Sequence, residues 1–218
     1  MTQHADIPTA RPARSGLRIG IGAVALIALL AAMALDTTVV RDGSDLDLQA
    51  QGFSPEAYGA ETFPVIQASV QERAVEAPTL AEAIATDKAA AGEEYGVPGG
   101  IGPVFPVSFT GTVLEGSAGI YAVAVDGVPD DVTIRVQTGP AINGTDLRDS
   151  TGEITFGQFT NQIEYQDAGA AINDAMKEQV LAPLDTSDLT GSTIAVTGVF
   201  KMINPANWLV TPVEMAVQ

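Results

Sequence analysis

The sequence predicts an α+β protein: a five-stranded OB-like β-barrel with a crossover helix, preceded by a small helical arm and an N-terminal transmembrane helix. Three observations carry that expectation. An uncharged run occupies residues 19–35. Apolar residues recur at helical spacing up to about residue 96 and at alternating positions after about residue 105, the two periods that separate helix from half-buried strand. The alternating part then reads as three strands, a long connection holding a helix, and two more strands, the order of a five-stranded Greek-key barrel of OB type. An open antiparallel sheet with a helix packed on it is the alternative topology.

The N-terminal tail, residues 1–18, carries Arg11, Arg14 and Arg18. The run IGIGAVALIALLAAMAL follows it at residues 19–35, with Asp36, Asp42, Asp45 and Asp47 beyond. That length is at the lower edge of what spans a bilayer core as a helix. Arginines on one side and carboxylates on the other keep the tail cytoplasmic and export the remainder. The expectation is a single-pass inner-membrane anchor with its C-terminal domain in the periplasm. A cleaved signal peptide is the rival, because Ala32-Met33-Ala34 has the small-x-small form of a cleavage site. Residues 36–52 read as an acidic spacer.

The helical arm spans residues 53–96. Ser54-Pro55-Glu56 has the residue types of a helix start, with serine to cap and proline where its missing N–H costs nothing. Pro64 is expected to interrupt this helix and open a second. Thr79-Leu80-Ala81-Glu82 has capping-box spacing and is expected to open an alanine-rich helix ending near Gly92 or Gly96. The stretch GVPGGIGP is a breaker-rich hinge before the β domain, residues 105–218.

Val107, Phe109, Gly111 and Val113 form one face of the first strand. Tyr121, Val123 and Val125 alternate with Ile120, Ala122 and Ala124 in the second, and Val132, Ile134 and Val136 line the third. A helix is expected from Gln162 to Leu181, capped by Asn161 with Glu164 and buried along Ala168, Ile172, Met176 and Val180. The fourth strand turns Ile194, Val196 and Phe200 inward. In the fifth, Leu209, Thr211, Val213 and Met215 share a face, and Pro212 demands a bulge or an edge because it cannot donate to a ladder.

Composition excludes much chemistry. With 27 acidic against 10 basic residues and a net charge of −17, the chain lacks the clustered cations that nucleic-acid binding needs. There is no cysteine, and the single histidine is His4 in the tail. Thiolate nucleophiles, imidazole general bases and Cys or His metal ligands are therefore missing from the exported part. Asp146, Asp149 and Glu153 do not follow the order of a calcium loop. Paired carboxylates for glycoside hydrolysis would need desolvated partners that nothing marks. The expectation is a protein that is not an enzyme and holds no metal and no cofactor.

One segment stands out, GPAINGTDLRDSTGEITFGQFTNQIEYQDAGAAIN, residues 139–173. Asn143-Gly144 is a turn signal, and Thr145 can cap a short helical turn. Arg148 beside Asp149 is harder to explain as punctuation, since a guanidinium is costly to bury without partners. The expectation is that Arg148 is partly buried, pairs with Asp149 or Glu164, and pins the crossover to the barrel. The alternative is a ligand site formed by Arg148, Asn161 and Gln162. Tyr165 and Trp208 are the candidate aromatic contacts for a sugar ring, with Phe156, Phe159 and Tyr121 considered beside them. Phe156 and Phe159 read as core anchors.

The elements GFSPEAY, TLAEAI, GPAINGTDLRD, FGQFTNQIEYQDAGAAIN and LVTPVEM together resemble the predicted periplasmic lipoproteins grouped as domain-of-unknown-function family 2291, over nearly all of residues 50–218. That family has no established biochemical activity, and its members often occur encoded beside sugar ABC transporters. The resemblance implies a periplasmic location and a transport accessory role, with a transporter or other envelope protein as partner. This chain lacks the lipobox cysteine, so the N-terminal helix is its expected anchor. A periplasmic domain that binds a small ligand such as a carbohydrate is the second function class. A concave pocket lined by Tyr165 or Trp208 would favour it, and an exposed apolar patch would favour docking.

Overall fold

The alternation in residues 104–113 is realised as a strand whose inward side chains are fully enclosed. Val107, Phe109, Gly111 and Val113 are buried while Thr110 and Thr112 face out. The computed structural model describes residues 52–218, and the expected membrane segment at 19–35 lies outside the described residues. No helix among the described residues is long and apolar enough to cross a membrane.

The elements run α1 (Pro55–Arg73), β1 (Val75–Glu76), α2 (Ala77–Thr86), α3 (Lys88–Tyr95), β2 (Val104–Ser117), β3 (Ile120–Ala124), β4 (Thr133–Gln137), α4 (Asp146–Asp149), a 3-10 turn (Phe156–Gln158), α5 (Gln162–Met176) continuing into a π turn (Lys177–Leu181), β5 (Thr193–Lys201) and β6 (Asn207–Val217). The sheet order is β1-β2-β3-β4-β6-β5, and β2 also pairs with β5. Strand β4 runs parallel to β6, and the β2–β3, β3–β4, β5–β6 and β2–β5 pairs are antiparallel. The five strands expected from the sequence are present, and α4 and α5 fill the long connection between β4 and β5. The sixth strand was not anticipated. Val75 and Glu76 pair in parallel with Val107 and Ser108, a two-residue contact too short to leave a periodic signal.

The bulge demanded by Pro212 is there. The β5–β6 register shifts so that Thr197 faces Glu214 while Gly198 faces Pro212, leaving Val213 as the extra residue. The Gln67 side chain donates to the Val213 carbonyl at 2.7 Å, so α1 supplies a partner at the bulge. The shift also changes which face is buried. Val213 and Met215 point inward as expected, but before the bulge the inward residues are Trp208 and Val210, and Leu209 is only half-buried.

The N-terminal helices depart from expectation at their boundaries. Pro64 does not interrupt α1, which continues through it to Arg73. Pro64 and the preceding Ala60, whose carbonyl loses its helical donor, are both exposed. Burial of Phe63, Ile66 and Val70 on the opposite face offsets the lost bond. Ser54 makes no side-chain cap bond. The Thr79–Glu82 box is not used either, because α2 already starts at Ala77 with proline in its first turn. Asp87, with extended backbone, ends α2 and caps α3 by accepting from Ala89 and Ala90 N–H.

The helical segment expected as an arm shares its core with the sheet. Phe63, Ile66, Val70, Leu80 and Ile84 belong to the same buried cluster as Phe105, Ile134, Ile172, Val199 and Trp208, and residues 53–218 form one compact unit. Helix α1 lies so close to α5 that a Cβ at Gly59 would collide with the Ala171 carbonyl. The buried stripe of α5 is as expected, with Ala168, Ile172, Met176 and Val180 enclosed.

Candidate polar site at the crossover

The connection from β4 to β5 must cross the end of the sheet, and α4 places Arg148 and Asp149 at that crossing. Arg148 is 8% exposed. Its Nε donates to Asp149 Oδ1 at 2.9 Å, its Nη2 lies 2.9 Å from the same oxygen, and Nη1 donates to the Tyr165 carbonyl at 3.2 Å. The guanidinium carbon lies 3.7 Å from the centroid of the Tyr165 ring, a cation–π contact. Gly169, one turn further along α5, leaves the room: a Cβ there would come within 3.6 Å of Nη1.

The other carboxylate oxygen of Asp149 is also occupied. Thr145 Oγ1 donates to Oδ2 at 2.7 Å, and Lys201 Nζ, from the end of β5, donates to Oδ2 and to Thr145 Oγ1 at 3.0 Å each. Lys201 is also 3.5 Å from Asp146 Oδ1. This network joins α4, α5 and β5: Arg148 is buried and paired with Asp149, not with Glu164, and Lys201 links the same carboxylate to the sheet. Glu164 instead accepts from Thr160 N–H at 2.9 Å.

The two carboxyls respond oppositely to their setting. Burial pushes Asp146 above the ordinary carboxylate range, and the Lys201 charge and hydrogen bond only partly oppose it. Burial would raise Asp149 too, but hydrogen bonds from Thr145, Lys201 and Arg148, with the Arg148 charge, hold it below its usual value. The difference follows the number of donors aimed at each group.

Asn161 caps α5, its Oδ1 accepting from Ile163 and Glu164 N–H. Gln162 is exposed on the first turn. Neither is hydrogen-bonded to Arg148 among the described residues, and neither lines the clefts beside it. Thr145 does not cap α4 through its side chain, because its hydroxyl is engaged with Asp149 and Lys201. Trp208 is fully buried, stacked on Phe200 at 4.5 Å and 11°, with Nε1 donating to the Pro205 carbonyl. It belongs to the core and is not available to a ligand. Tyr121 is likewise buried.

Tyr165 keeps an accessible position. Its ring meets Phe156 and Phe159 at 5.8 and 5.4 Å, and Phe159 packs edge-on against Phe53 and Tyr58. Phe156 is not a core anchor. It is 50% exposed at the wall of a cleft of about 490 Å³ formed with Gly99, Gly100, Ile101, Tyr165 and Lys201 over Arg148 and Asp149. Of the oxygen ligands considered for calcium, Asp146 and Asp149 are turned to Lys201 and Glu153 is exposed. Lys201 was not anticipated from the sequence. The signal was a lone lysine closing a strand that is otherwise apolar, in a chain with few cations.

The strand order, the parallel β4–β6 pair and the helical crossover define an OB-fold protein. A solved OB-fold protein from Thermotoga maritima is similar over 77% of this chain and 99% of its own length, with 19% identity and a TM-score of 0.59, a likeness of fold. The family model described as predicted periplasmic lipoprotein (DUF2291) matches residues 23–216, and the chain belongs to that family of unknown function. Comparison with curated proteins finds no match.

Proposed function

We propose that the protein is a membrane-tethered periplasmic accessory protein that docks onto an envelope partner such as a sugar ABC transporter. Residues 19–35 act as the anchor, and the five strands β2 to β6 form a closed barrel that carries the docking surface. Without a cysteine, attachment through a lipid is not open to this chain, which supports the helix as anchor.

One observation supports docking above the rest. Ile101, Ile203 and Phe156 are 81%, 68% and 50% exposed, and they belong to one end of the fold. Ile101 and Phe156 line the same cleft. The loop after β5 abuts the hinge, with Met202 N–H bonded to the Pro103 carbonyl at 2.9 Å, so the loop that carries Ile203 meets the hinge that carries Ile101. Exposed apolar groups gathered at one end are what a protein partner covers. Thr145, Asp149 and Lys201 beneath them are hydrogen-bonded to one another, so these three make little demand on a ligand. The test is affinity capture from detergent extracts of full-length protein. The wild type is expected to retain a partner that Ile101→Asp with Phe156→Asp loses at unchanged melting temperature. Retention of the same partner by the double variant rejects the reading.

A second reading is supported by the cleft itself. Its volume suits a small molecule, and the Tyr165 and Phe156 rings on its wall are surfaces on which a sugar can stack. Calorimetric titration with neutral monosaccharides distinguishes it, because a saccharide bound there is displaced by Tyr165→Ala.

A further inference from the structure

A second cleft, of about 530 Å³, opens on the other side of Arg148, between the loop of residues 142–145 and α5. Its helical wall includes the row Gln166, Gly169, Asn173 and Lys177, at the spacing of three to four that places side chains above one another, with Ala170 and Asp174 beside it.

Asn173 is 2% exposed. Its Nδ2 donates to the Ile142 carbonyl at 3.3 Å and the Gly144 carbonyl at 2.8 Å, which fixes the amide and holds the loop. Nothing among the described residues donates to its Oδ1. Among the described residues no fully enclosed side-chain polar atom lacks a partner, so Oδ1 keeps some accessible surface, on a residue that lines the cleft. An acceptor with so little access to bulk water is unfavourable until something donates to it.

A donor waits on the adjoining wall. The five N–H groups of a guanidinium are only partly used by Asp149 and the Tyr165 carbonyl. Because Gly169 has no side chain, Nη1 of Arg148 is reachable from this side. At the mouth, Lys177 is already paired with Asp174, and Arg148 with Asp149, so the charges of the walls are balanced.

We propose that this cleft binds a small neutral molecule bearing several hydroxyl groups, one donating to Asn173 Oδ1 and one accepting from Arg148 Nη1. A hydroxyl both donates and accepts, which matches an acceptor and a donor held side by side. Paired charges give an ion no advantage over such a molecule. The volume falls within the range of small-molecule sites, about 300 to 1,000 Å³. The site is independent of the docking reading, because neither Ile101 nor Phe156 lines it.

The test uses full-length protein in detergent micelles, with myo-inositol and glycerol as neutral probes and acetate and inorganic phosphate as charged controls. Saturation-transfer NMR is expected to show contact with a neutral probe. Ala170→Trp, an exposed position on the cleft wall, is expected to weaken that binding about tenfold or more, the scale of a lost hydrogen bond or greater, with the melting temperature unchanged. Ile101→Asp is expected to leave it intact. No transfer to either neutral probe, binding that survives Ala170→Trp, or displacement by a charged control overturns the proposal.

Discussion

The Phe105–Phe200–Trp208 stack and the Phe156–Tyr165–Arg148 group are both built on packed rings, yet one is core and the other borders a cleft. In the first, ring centroids lie 5.6 and 4.5 Å apart at small interplanar angles, and all three residues are fully buried. The one polar atom, Trp208 Nε1, finds its acceptor three residues back, at Pro205. Such a group needs nothing from outside and sinks into the interior. In the second, the ring carries a guanidinium, whose burial needs hydrogen-bonding partners. Asp149 beside it on α4 and the Tyr165 carbonyl of α5 supply them, and Lys201 of β5 bonds to the same carboxylate. An aromatic residue is thus sorted by what its neighbours require more than by its own size.

Three perturbations sharpen that contrast. The largest effect is expected at the apolar stack, where Trp208→Ala should cost about 4 kcal/mol of unfolding free energy by leaving a cavity between Phe200 and the sheet. Chemical denaturation measures it, and a loss below about 2 kcal/mol would mean that the stack is not the stronger anchor.

At the polar site, Arg148→Met should cost about 3 kcal/mol, because Asp149 then stays half-buried with one cation fewer. The same site sets the acid sensitivity. Asp149 has its folded pKa below the ordinary value, so its stabilisation is present above the ordinary aspartate range and is lost as pH falls through the depressed folded value. Asp146 is raised, so its ionisation costs stability as pH climbs from the ordinary range through the raised one. Denaturation midpoints measured across the acid range should therefore decline less steeply in Asp149→Asn than in the wild type. In Asp146→Asn the decline should steepen, since the opposing contribution is gone. Identical profiles for the two variants would contradict the opposed settings.

The smallest effect is expected at Gln162, which is exposed on the first turn of α5. Gln162→Ala should change stability by no more than about 0.5 kcal/mol. A loss comparable to that of Arg148→Met would show that the first turn of α5 belongs to the pin after all.

What could be read in advance was whatever a residue demands by itself. Pro212 cannot donate to a ladder, and a bulge lies beside it, at Val213. Arg148 cannot be buried alone, and Asp149 is beside it. The strand alternation of residues 107–113 and the stripe of α5 follow from burying one face. What could not be read depends on choices settled by the rest of the fold. Pro64 is tolerated because its defect faces solvent while Phe63 and Ile66 are held by the core, and the Thr79–Glu82 box is bypassed because Pro78 already starts the helix. Lys201 and Asn173 were missed because each matters only through loops far away in sequence, Thr145 for one and Ile142 to Gly144 for the other. Trp208 was misassigned because a ring that opens a strand looks the same in sequence whether it points in or out.

Strand β2 finds partners at very different times. Its pairing with β3 is local, but its longest ladder, from Val104 with Lys201 to Thr112 with Thr193, waits for a strand that follows the entire crossover. During synthesis and export, therefore, the apolar strand Val104–Val113 presents an uncovered edge until nearly the whole chain has emerged. Closing that long loop is entropically costly and slow compared with forming the hairpin, and an uncovered edge invites pairing with other chains. The order of the elements makes the final strands act as a late latch, so truncation near the C-terminus should release an aggregating chain and not a smaller folded domain.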